Sequence, residues 1–179
     1  KLQQDIEEKA KKAQAALESG EIEEAVKLVS GARSMLKSSA YDLDQDKQKE
    51  WKTSFEKVDE LNKSLGEIDE LLKQASQAPS TVKRQLEMKQ LNINESKNEY
   101  KPILSKLVVA LDEVEKLERE QMLAALRKEL DKAEKTYADG QVEEAVRAAD
   151  QVQTKMAASE KLLDKDLQAR VAKLRRNGE

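Results

Sequence analysis

A chain of 179 residues with neither cysteine nor histidine is closed to much of enzyme chemistry, since it has no thiolate, no imidazole base and no sulfur or imidazole metal ligand. Lys plus Arg (33) and Asp plus Glu (36) almost cancel to a net charge of −3, and aromatics make up 3%. Neither the basic stripe nor the stacking rings of a nucleic-acid binder are expected.

The first predicted helix runs from Leu2 to Glu18, because Leu2, Ile6, Ala10, Ala13 and Leu17 recur at spacings of three and four. Ser19-Gly20 closes it. A second helix carries Ile22, Ala25, Val26, Val29, Ala32, Leu36 and Ala40, and Tyr41-Asp42-Leu43-Asp44 reads as a turn in which Asp42 or Asp44 caps the next helix. The third is the most regular. Trp51, Ser54, Val58, Leu61, Leu65, Ile68, Leu72 and Ala75 hold one a/d seam, which predicts an unbroken helix from Asp44 to Ala78 through Gly66. At 1.5 Å per residue that helix is roughly 50 Å long.

Pro79-Ser80 is expected to end it, with Ser80 or Thr81 capping a fourth helix that carries Val82, Leu86, Ile93 and Tyr100. Asn92-Ile93-Asn94-Glu95-Ser96 is its softest stretch. Pro102 either breaks the chain or serves as the first residue of a fifth helix. That helix carries Leu104, Leu107, Leu111 and Val114, then Leu123, Leu126, Leu130, Ala133 and Tyr137, offset by a stutter near Glu118. Gly140 closes it, and one last helix carries Val142 through Leu174 to Asn177-Gly178. No strand pattern occurs, and no run of about 18 apolar residues exists to span a bilayer.

The two ends of the chain match. Ser19-Gly20-Glu21-Ile22-Glu23-Glu24-Ala25-Val26-Lys27 aligns with Asp139-Gly140-Gln141-Val142-Glu143-Glu144-Ala145-Val146-Arg147. The pairing extends from Leu2/Met122 to Leu36/Met156 without a gap. Gly66-Glu67-Ile68-Asp69-Glu70 echoes it weakly and is read as chance. The run Gly-x-apolar-Glu-Glu-Ala-Val, with Ala32 seven residues after Ala25, resembles the turn and second helix of a tetratricopeptide repeat. The resemblance implies two antiparallel helical hairpins, turning at Gly20 and Gly140. It carries over no peptide-clamping residues: the copies are not tandem, Lys9 and Glu129 stand where the family has an aromatic, and the closing proline is missing.

Several clusters invite a functional reading. Glu7-Glu8, Glu23-Glu24 and Glu143-Glu144 fall on polar faces and read as solvated surface. Asp42-x-Asp44-x-Asp46 starts like a calcium loop but lacks the glycine and the closing glutamate, so helix capping explains it better. Trp51 and Phe55, one turn apart, read as core before partner anchor. Arg170, Lys173, Arg175 and Arg176 suit a helix C-terminus. Asn62-Lys63-Ser64 and Asn94-Glu95-Ser96 match the glycosylation pattern, but both fall in predicted helix.

The expected fold is therefore all-α: an elongated antiparallel bundle of long, coiled-coil-like helices with a helix–Gly–helix hairpin at each end. Its parts would be residues 1–40 (first hairpin), 41–101 (long central helices) and 102–179 (a long helix plus the second copy, 121–160), forming one structural unit. Starting at Lys1, the chain reads as a fragment of a larger protein, soluble, with the cytoplasm favoured. The expected function is non-enzymatic: a scaffold, adaptor or spacer binding protein partners through helix faces, with no catalytic residue, metal or cofactor. The alternatives are an amphipathic membrane-surface or lipid binder, and a coiled-coil element that self-associates through an exposed heptad seam.

Overall fold

Spacings of three and four bring Ile6, Ala10, Ala13 and Leu17 onto one buried face of α1 (Leu2–Glu18), within the bounds the sequence suggests. A computed structural model describes residues 1–39 and 43–178. Among them lie seven α-helices and no strand. The chain divides into two compact units, Lys1–Val114 and Glu115–Glu179.

The first unit holds α1, α2 (Ile22–Ser39), α3 (Gln45–Gln74), α4 (Pro79–Leu91), a 3-10 turn at Asn98–Tyr100 and the first part of α5 (Lys101–Ala138). The α1–α2 hairpin turns on Gly20, whose φ of +79° only glycine adopts without strain. Gly20 N donates to Leu17 O and Glu21 N to Ala16 O, so two orphan carbonyls of α1 are satisfied in a Schellman-type closure. A Cβ at Gly20 would also press on Pro102 Cγ at 3.3 Å, so the start of α5 covers the turn. The α1–α2 pair packs on the first half of α3, which buries Trp51, Phe55 and Val58. Asp44 caps α3, its side chain accepting from Asp46 N at 2.9 Å. The Tyr41-Asp42 part of the expected turn, and Ala40, lie outside the described residues.

Two expectations for this stretch need correction. First, α3 passes unbroken through Gly66 but ends at Gln74, not Ala78. Pro79 does not stop α3; it opens α4 as its first residue, with Ala78 (φ −144°) as N-cap in place of Ser80 or Thr81. A ring that fixes φ and lacks an N–H suits that position, and it forces the residue before it out of the α region. Second, the fourth helix stops at Leu91, well short of Tyr100. Asn94 Oδ1 accepts from Ser96 N at 3.1 Å and Ser96 Oγ at 2.6 Å, so a local side-chain turn outcompetes the helix. Asn94-Glu95-Ser96 therefore lies in a turn and not in a helix. Pro102 sits in the first turn of α5, where its missing donor costs nothing.

The second unit is a three-helix arrangement of the rest of α5, α6 (Val142–Ala157) and α7 (Lys165–Gly178), with a short 3-10 turn at Glu160–Leu162. Gly140 has φ +86° and repeats the Gly20 closure: Gly140 N donates to Tyr137 O and Gln141 N to Thr136 O. Leu126, Leu130, Ala149, Val152, Met156, Leu167 and Val171 form one core. The single last helix expected from Val142 to Leu174 is two helices. Asp164 Oδ1 accepts from Asp166 N and Leu167 N at 3.0 and 3.1 Å, which caps a new helix. Breaking there lets Leu167, Val171 and Leu174 fold back onto α5 and α6, burying apolar area that one straight helix would leave in water.

Candidate functional site: a groove between α3 and α4

The second half of α3 has two working faces. Leu61, Ile68 and Ala75 point into the first unit's core. Beside them, at helical spacing, run Asn62, Gly66 and Glu70, then Lys63, Glu67 and Gln74. α4 is divided in the same way, with Val82 and Leu86 buried and Arg84, Gln85, Met88 and Lys89 on the adjoining side. These two second faces bound an open groove of about 900 Å³.

The floor is the notable part. Gly66 contributes no side chain, and a Cβ placed there would meet nothing within 4 Å. Leu71 lines the groove half-buried, and Met88 is 56% exposed on the α4 wall. Aliphatic stems of long charged side chains supply the remaining apolar wall. From Asn62 to Gln74 the α3 wall rises twelve residues, about 18 Å at 1.5 Å each, or a little over three helical turns.

Most of the charges at the rim are already committed. Glu67 accepts from Lys89 across the groove and sits 3.9 Å from Lys63. The Lys89 hydrogen bond holds the Glu67 carboxyl below the usual carboxylate range. Glu70 pairs with Lys73 at 2.6 Å, and that contact raises the lysine's pKa. Arg84 makes no ion pair with a described residue. The groove therefore offers carbon, a bare stretch of backbone and one uncommitted guanidinium. It can hold a ligand by packing and by a charged hydrogen bond; it has no nucleophile activated by a neighbouring base.

Two further crevices are smaller: about 310 Å³ between α1 and α3 beside Trp51, and about 360 Å³ between α5 and α6. Among the described residues, no three acidic side chains group so as to hold a metal ion. Among the described residues no helix is long and apolar enough to cross a membrane.

The residues singled out in the sequence are placed as follows. Trp51 and Phe55 are core, 5% and 1% exposed. Glu7 pairs with Lys11 and Lys47, Glu8 with Lys12, Glu24 with Lys27 and Glu143 with Arg147; Glu23 and Glu144 are exposed. Asp44 is a cap and Asp46 an exposed first-turn residue, so these two do not converge on a cation. Arg170 forks between Asp131 (2.6 Å) and Glu134 (2.8 Å), and Arg175 reaches Asp150 (3.0 Å), so much of the basic end is spent within the second unit. Asn62 lies on the rim of the groove.

In the sequence Gly66 reads only as a residue that the α3 seam passes through. The missed signal was an exposed glycine on the polar side of an intact apolar seam. No protein-family model matches this chain, and neither a curated protein nor a solved structure does.

Proposed function

We propose that this chain is a non-enzymatic protein-interaction module, a scaffold or adaptor that binds partners through helix faces. The groove between α3 and α4 carries this reading: an apolar trough of about 900 Å³, walled by two helices and floored at Gly66. Laying a helix into a groove is a common way for helical proteins to bind one another. The hairpins at Gly20 and Gly140, resembling tetratricopeptide hairpins, would be the frame. Residues 43–48 and 163–168 both read Leu-Asp-x-Asp-x-Gln, at the same offset (163 − 43 = 120) as the two glycines (140 − 20 = 120). We read the chain as two copies of a hairpin plus an Asp-capped third helix. The stretch between them, with the end of α3, α4 and the start of α5, supplies the binding surface.

The test compares affinity capture by the intact chain and by Met88→Asp. Partners bound by the first and lost from the second, then confirmed with purified components, support the reading. Identical capture profiles refute it. A second reading, self-association, draws on Val108 and Val109, which are 57% and 66% exposed side by side on α5. Sedimentation velocity over a hundredfold concentration range decides it. Co-sedimentation with anionic vesicles would instead favour a membrane-surface role.

A further inference from the structure

We infer that the α3–α4 groove is built for one kind of occupant: an amphipathic helix of a partner protein with an apolar ridge flanked by acidic residues. The inference rests on the interaction-module reading above and adds the partner's chemistry. Three independent features lead to it.

The first is Gly66. An exposed glycine in the middle of a 30-residue helix destabilises it relative to alanine, and here nothing among the described residues lies within 4 Å of where a methyl group would sit. A bare backbone lets another backbone come close, as at glycine crossings between helices. The second is length. The trough follows α3 for about 18 Å, which matches three turns of helix and the i, i+4, i+7 spacing of an apolar ridge. Leu71 and Met88 offer that ridge its counter-surface.

The third is charge. Lys89 and Lys63 are engaged by Glu67, and Glu70 by Lys73, whereas Arg84 has no partner among the described residues. A guanidinium at the lip of an apolar trough takes a carboxylate in a two-pronged hydrogen bond. A lysine or arginine on the incoming helix would meet Arg84 as a like charge and would bind more weakly. The complement is therefore an acidic helix.

The test uses synthetic probes of about 16 residues, stapled so that they are helical alone. Both share one Leu/Ala ridge; one has Glu on the flanks, the other Lys. Binding to the full chain is read by fluorescence anisotropy, with amide protection locating the site. The acidic probe should bind about tenfold more tightly than the basic one and protect α3 and α4. Arg84→Glu should abolish or reverse that order. Gly66→Leu, which adds a good helix former at an exposed site, should keep the fold by circular dichroism and lose the acidic probe. Equal affinity for the two probes overturns the inference, as does undiminished binding by folded Gly66→Leu. Binding with protection confined to another helix face overturns it while sparing the interaction-module reading. If neither probe binds, the inference is overturned, while the interaction-module reading stands or falls on the Met88→Asp capture comparison.

Discussion

Removing either partner of the Lys57–Glu99 ion pair should have very different consequences. Glu99, in the 3-10 turn before α5, is a buried charged residue of the first unit; its side chain is 8% exposed and its Oε1 has no hydrogen-bond partner among the described residues. Its other oxygen lies 2.8 Å from Lys57 Nζ on α3, a side chain 39% exposed. Lys57→Met strands a carboxylate in the protein, a loss of about 3–5 kcal/mol when both partners are fully buried. Because Lys57 already shares its charge with water, we scale the expected loss to about 2 kcal/mol. Glu99→Met leaves a lysine that can turn to solvent and removes an unsatisfied oxygen, so its cost should stay within about 0.5 kcal/mol of zero. The double variant should resemble Glu99→Met alone. The sole tryptophan, Trp51, is buried on α3 in the same unit and reports unfolding in urea. A loss of about 2 kcal/mol moves the midpoint by about 1 M. The reasoning fails if Lys57→Met unfolds with the wild type, or if Glu99→Met is the more damaging change.

The two turn glycines give a matched pair. Gly20→Ala and Gly140→Ala each place a side chain at positive φ, costing about 1–2 kcal/mol. Gly20→Ala should cost more, because its methyl meets Pro102 while that of Gly140→Ala meets open space; thermal melts of both variants check the order. Leu130 is fully buried in the second unit's core, so Leu130→Ala should cost about 3 kcal/mol and lower that unit's melting temperature by about 10–20 °C in calorimetry. Asp164 is held below the usual carboxylate range, chiefly by the Leu167 N–H, and Glu134 chiefly by Arg170. Both are depressed in the folded state, so their stabilisation is present above about pH 5 and is lost as pH falls through their lowered values. Asp164→Asn keeps a capping oxygen and should make that acid loss less steep in pH-resolved melts.

Much of the fold was legible because it depends on local periodicity. The approximate bounds of α1, both glycine turns, an aspartate cap at the start of α3 and the passage of α3 through Gly66 all follow from spacing and capping chemistry within a few residues. Trp51 and Phe55 read as core for the same reason. The errors arose where two local signals competed. Pro79 can end a helix or begin one, and the choice depended on where Ala75 and Pro79 could be buried. The apolar spacing from Val142 to Leu174 reads as one helix; only the return of Leu167 and Val171 onto the core shows that Asp164 caps a new one. The groove was hidden for a different reason. Its walls set Leu71, Met88 and the aliphatic stems of charged side chains on otherwise polar helix faces, and neither wall shows in the sequence that the other stands opposite. Gly66 carried the one visible hint, a tolerated defect with no internal use.

The most direct measurement of the central claim is residue-resolved hydrogen exchange on the full chain, free and saturated with the acidic helical probe. Exchange should slow in residues 62–74 of α3 and 84–89 of α4, with α6 and α7 unchanged. Protection absent from both of those segments, or strongest in the second unit, would contradict it.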